Sequence, residues 1–108
     1  MEMARLSPEA IDLVAERFRT LGEPTRLHLL NELRHGERSV GDLVEALGAT
    51  QANVSKHLQL LHAAGMVSRR REGTTIYYRV SDSSVFRLCE LVCGRLEDTL
   101  ERKRKALR

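Results

Sequence analysis

Residues Thr50 to Val80 change their hydrophobic period partway along, and that change limits the folds open to the chain. Over the first half, Val54, Leu58, Leu61 and Ala64 recur at helical spacing, which predicts an amphipathic helix with one buried stripe. Thr50 is suited to cap it, and Gly65 sits where glycine usually ends a helix. Beyond Gly65 the preference switches. Met66–Arg71 and Thr75–Val80 are predicted strands, with Ile76, Tyr77, Tyr78 and the threonines as good strand formers, joined around Glu72-Gly73-Thr74.

The remaining residues supply helices around this unit. Ser7 can cap and Pro8 can open a first helix, which carries Ile11, Val14, Ala15, Phe18 and Leu21 and runs to about Thr20 before Gly22. Pro24 opens a second, with Leu27, Leu30 and Leu33 as its inward stripe, ending at Gly36. Ser39 followed by Asp42 predicts a capping box. The short helix behind it carries Val40, Leu43, Val44 and Leu47 and stops at Gly48. From Asp82 a last helix carries Val85, Leu88, Cys89, Val92, Leu96 and Leu100 toward a partner, and the tail LEDTLERKRKALR extends it. The expected fold is one domain over 1–108, mainly α with a small β-hairpin (α+β), in the order ααααββα. Helices 39–47 and 50–64 around the Gly48-Ala49 turn make a helix-turn-helix over 39–64, and the hairpin at 66–80 makes it winged.

Composition agrees with a small helical core. The chain is 42% hydrophobic but only 4% aromatic, so leucine, valine and alanine must fill the interior. No apolar run reaches the ~18–20 residues that a membrane-spanning helix needs. The opening MEMARLSPEA is acidic where a secretion signal would be basic, and the expectation is a cytoplasmic protein with no membrane partner. The +3 net charge is unevenly spread: residues 1–49 carry −3, 50–80 carry +4, 81–100 carry −2 and 101–108 carry +4. Positive charge on the helix–hairpin unit suits a polyanion. An enzyme is excluded for want of parts: carboxylates are dispersed, no glycine-rich phosphate loop occurs, and no nucleophile has a recognisable base.

The side chains outside the buried stripe suit double-stranded DNA. Thr50, Gln51, Ala52, Asn53, Ser55, Lys56 and Gln59 stand at or near the start of the helix after the turn. Gln and Asn can pair bidentately with adenine, and Lys favours guanine or phosphate. His57 either joins them or tucks toward the core. Arg69, Arg70, Arg71 and Thr74 on the wing are expected at phosphates or a minor groove. Strand side chains alternate, so Arg70 should point opposite to Arg69 and Arg71. Thr25 and Arg26, opening the second helix, add candidate backbone contacts. A protein-interaction winged helix is the rival reading, and the basic wing argues against it.

The blocks LGEPTRLHLLNEL, SVGDLVEALGATQANVSKHLQLLHAAGMV and RRREGTTIYYRV, in that order, resemble the ArsR/SmtB family of bacterial winged-helix repressors over roughly residues 10–96. The resemblance implies a homodimer joined through its first and last helices, 7–20 and 82–105. It also implies repression of an operon, altered by an effector. A two-fold protein should read an inverted-repeat operator.

The effector sites of that family do not carry over. A Cys-x-Cys of arsenic-sensing relatives would fall on Ser39 and Gly41. The zinc ligands of others would fall on Asp82, Ser84, Arg95 and Asp98, without imidazoles, and a persulfide-sensing cysteine on about Asn31. What remains is Cys89 and Cys93, one helical turn apart, with β-carbons roughly 5–6 Å from each other. Two such thiolates could take a soft metal or metalloid ion or react with sulfur or an oxidant. Alternatively they are small apolar residues of a dimer interface, the protein has no cofactor, and it represses without an effector.

Overall fold

The computed structural model describes residues 5–107, so the outermost residues of the expected single domain, 1–4 and 108, lie outside the described part, as does the start of the acidic N-terminus. In chain order come α1 (Pro8–Leu21), α2 (Pro24–Glu32), a 3-10 turn (Leu33–His35), β1 (Arg38–Ser39) and α3 (Val40–Leu47). They are followed by α4 (Gln51–Ala63), β2 (Val67–Glu72), β3 (Thr75–Val80) and α5 (Ser84–Ala106). The fold is the expected winged helix-turn-helix. Among the described residues, no helix is long and apolar enough to cross a membrane.

Helix boundaries follow the local chemistry. The Ser7 hydroxyl accepts the Ala10 amide ahead of Pro8. At α3 the capping box closes both ways: Asp42 N donates to Ser39 Oγ at 3.0 Å, and Ser39 N donates to Asp42 Oδ2 at 3.3 Å. Gly48 ends α3 at φ 62°, a left-handed backbone that other residues adopt at a cost. That turn swings the chain into α4, whose first amides meet the Thr50 hydroxyl through Asn53 N at 3.2 Å.

One strand was not foreseen. β1 pairs with β3, Arg38 opposite Tyr78 and Ser39 opposite Tyr77, giving an antiparallel sheet in the order β1-β3-β2. Two residues are too short to show alternation, and the pairing depends on β3 offering a free edge. The hairpin itself is in simple register, from Val67 opposite Val80 to Glu72 opposite Thr75.

The core lies where α2, α3 and α4 meet the sheet. Leu29, Leu30, Leu33, Leu43, Val54, Leu58, Leu61, Met66, Val67 and Tyr78 are buried there, with Leu21 and Val85 at its edge. The expected α2 stripe is corrected at one place. Leu29 takes the interior position, and Leu27 is exposed beside Phe18 and Leu88, because the helix phase that buries Leu30 and Leu33 turns Leu27 toward α5. The α1 stripe also faces outward: Ile11, Val14 and Phe18 are exposed and only Leu21 is buried. On α5, Leu91, Val92, Leu96 and Leu100 are exposed as well.

Candidate nucleic-acid interface

The start of α4 presents a mostly polar surface because Val54 and Leu58 are used inward. Val54, Leu58 and Leu61 are fully buried, which leaves Gln51, Ala52, Asn53, Lys56 and Gln59 exposed and Ser55 half-buried. Thr50 is exposed at the N-cap. The wing tip lies alongside: Gln51 and Ser55 share a shallow groove with Ser39, Thr74, Thr75 and Ile76. Helix start and wing tip therefore form one continuous surface.

The three wing arginines divide as strand alternation requires. Arg69 stands opposite Tyr78 and Arg71 opposite Ile76, while Arg70 stands opposite Tyr77 on the other face. Arg70 is engaged there. Its guanidinium donates to Glu37 at 2.7–3.0 Å and to Glu72 at 2.7 Å, and it lies over the Tyr77 ring, 4.5 Å from the centroid. The hydrogen bond from Arg70 holds the Glu37 carboxyl below the usual carboxylate range, and the two carboxylates raise Arg70 further above its ordinary value. Arg69 and Arg71 are exposed, and Arg71 Nε donates to the Gly73 carbonyl at 3.1 Å. Among the described residues, no carboxylate pairs with Lys56, Arg69 or Arg71.

His57 tucks inward. Its side chain is 12% exposed, and Nδ1 lies 3.7 Å from Glu23 Oε2. Glu23 caps α2 by accepting the Arg26 amide at 2.9 Å. Burial pushes the Glu23 carboxyl up, but the Arg26 amide and the His57 and Arg26 charges outweigh it and hold it below the usual range. Thr25 and Arg26 are half-buried at this corner, and Arg26 Nε and His57 Nδ1 are buried without hydrogen-bond partners among the described residues. Glu37 and Glu23 were missed in the sequence; an isolated acid carries no signal of a partner 33 residues away.

The cysteines lie on α5. Cys89 is half-buried against the core. It lines an apolar groove of about 340 Å³ with Phe18, Leu27, Val92, Cys93 and Leu96. Cys93 is exposed and its thiol donates to Glu97 Oε1 at 3.6 Å. That hydrogen bond, with the carboxylate charge, pushes the Cys93 thiol above its ordinary value, so the thiolate is disfavoured. Among the described residues, no group of three or more His, Cys, Asp or Glu side chains is placed to hold a metal ion.

Residues 23–69 match the family described as "Bacterial regulatory protein, arsR family". The chain is 40% identical over 74 residues to the HTH-type transcriptional repressor SmtB of Mycobacterium tuberculosis, an alignment covering 68% of this chain and 55% of that one. It thus spans little more than half the length of that curated relative. Among solved structures, a homodimeric winged helix-turn-helix DNA-binding domain, Mb0332 of Mycobacterium bovis, is 37% identical with TM-score 0.76, covering 93% of this chain and 95% of that one. The AntR antimony-specific transcriptional repressor is 31% identical with TM-score 0.80, covering 94% of this chain and 92% of that one.

Proposed function

Because this chain belongs to the arsR family of bacterial regulatory proteins, we propose that it is a homodimeric, sequence-specific repressor that binds an inverted-repeat operator. One observation carries the reading. The polar start of α4 lies beside the wing that carries Arg69 and Arg71, which pair with no carboxylate among the described residues, while α1 and α5 expose apolar side chains. Two copies joined through α1 and α5 bury Phe18, Val92 and Leu96 and carry two α4 helices to successive turns of a major groove. Gln51, Ala52, Asn53 and Lys56 face base edges or phosphates. Thr50, Ser55, Gln59, Thr74, Arg69 and Arg71 complete the contact, with Thr25 and Arg26 beside the backbone. Arg70 and His57 support that surface through Glu37 and Glu23. Selection from a randomised duplex library tests the reading: an enriched inverted repeat is expected, and enrichment of nothing over random DNA would refute it.

The effector side of the proposal rests on Cys89 and Cys93. They take a thiol-reactive effector, a soft metal or metalloid ion or reactive sulfur, and release the operator. Their shared helical turn and apolar surroundings support this, as does the antimony specificity in the name of the similar AntR. The Cys93–Glu97 hydrogen bond favours a second reading, in which the cysteines only pack and repression needs no effector. Arsenite, Cd(II) or polysulfide added to the protein–DNA complex separates the two. Release that disappears in a Cys89→Ser/Cys93→Ser double variant supports the first, and no release supports the second.

A further inference from the structure

The C-terminal end of α4 is held from outside the helix-turn-helix. Helix-end carbonyls lack intrahelical partners and carry the negative end of the helix dipole. Just past α4, the carbonyls of its C-cap Ala64 and of Gly65 are met by side chains from α1 and from the link between β3 and α5. Arg17 of α1 donates through Nη1 to the Ala64 carbonyl, 47 residues away, and Ser81, just before α5, donates through Oγ to the Gly65 carbonyl at 2.9 Å. The other arm of the Arg17 fork reaches Asp82 Oδ2 at 3.3 Å. Asp82 is itself fixed, its Oδ1 accepting the Ser84 amide at 3.1 Å and the Ser84 hydroxyl at 2.5 Å. On α1, Arg17 adjoins Phe18, Leu13 and Val14 of the outward apolar face.

We propose that Arg17 is a positioning residue for operator recognition: holding the Ala64 carbonyl and Asp82 together, it sets the angle of α4 to the dimer platform and so the half-site spacing that the dimer accepts. The inference rests on the operator-binding reading above. Leverage makes the angle matter. The 13 residues of α4 span about 20 Å, so a turn of about 10° at Ala64 moves Gln51 by about 3 Å. That is close to the ~3.4 Å of helix axis per phosphate of one strand. The planar guanidinium fork can bridge two fixed acceptors in one plane, whereas an ammonium on a flexible stem fixes no such geometry.

The test uses the full chain with Arg17→Gln and Arg17→Lys, and Ser81→Ala as the companion at the neighbouring carbonyl. The probes are the inverted repeat that the wild type selects from a randomised library, the same repeat with its spacer changed by one or two base pairs, and random duplex. The variants are expected to remain dimers and to keep wild-type affinity and salt slope on random duplex. On the selected spacer they lose about tenfold or more, and the preference between spacers flattens. Arg17→Lys, which keeps the charge but not the fork, should behave like Arg17→Gln. Unchanged affinity and spacer preference in both would overturn the proposal. So would a parallel loss on random duplex, which marks a phosphate contact or a folding defect. A wild type that enriches no sequence would instead overturn the operator-binding reading beneath it.

Discussion

Glu37 grips Arg70 across 33 residues of sequence, with three of the guanidinium's hydrogen bonds at 2.7–3.0 Å, and so holds the middle arginine of a run of three on the face of the wing opposite to Arg69 and Arg71. Identical side chains in sequence thus have different duties. Arg69→Ala and Arg71→Ala should each weaken binding to duplex DNA and flatten the salt slope by about 1, as should Lys56→Ala. Arg70→Ala should leave the slope near wild type and lower the melting temperature instead. Titration of binding against salt, with a thermal melt of each variant, checks the division.

Helix α4 depends on its inward side. Leu58 is fully buried in the core, and Leu58→Ala should cost about 2–5 kcal/mol by chemical denaturation. Gln59→Ala on the exposed side should cost far less than that and act on DNA affinity alone.

Gly48 holds the turn at φ 62°, and a Cβ there would meet nothing within 4 Å. The penalty of Gly48→Ala is therefore one of backbone conformation, about 1–2 kcal/mol. Equilibrium urea unfolding should return that value, and Gly48→Asn should cost less.

Phe18 and Leu96 line one groove and are more than half exposed in the single chain. Phe18→Glu or Leu96→Glu should shift the protein toward monomer in sedimentation and abolish tight binding to a two-half-site duplex. Helical content should fall little.

Glu97 keeps Cys93 protonated over a wider pH range than an ordinary thiol. Since only the thiolate alkylates, the rate of Cys93 with iodoacetamide should rise at higher pH than for a free thiol. In a Cys89→Ser background, Glu97→Gln should move that profile to lower pH and speed the reaction near neutrality. An unmoved profile would remove the carboxylate from the control of this thiol.

Local signals in the sequence reached the elements that local chemistry builds. Ser7-Pro8, the Ser39–Asp42 box, Gly48 and the Thr50 cap mark helix ends because each acts within four residues. The β2–β3 hairpin was legible for the same reason. The division among Arg69, Arg70 and Arg71 followed from alternation alone, but the partner of Arg70 did not. Glu37, the Arg17 clamp and β1 all join residues distant in sequence, and nothing in the residue types announces such pairings. Leu27 and Phe18 carry the periodicity of core residues and stand outside, because period reports that a face is apolar and not what covers it.

Ser39 is at once the last residue of β1 and the cap of α3. The hairpin and the helix pair are therefore soldered at one residue, and they cannot swing independently. Reach and register become separable quantities: residues added at the Gly73 tip would lengthen the arm and leave α4 where it stands. Residues added between Glu37 and Asp42 would shift both.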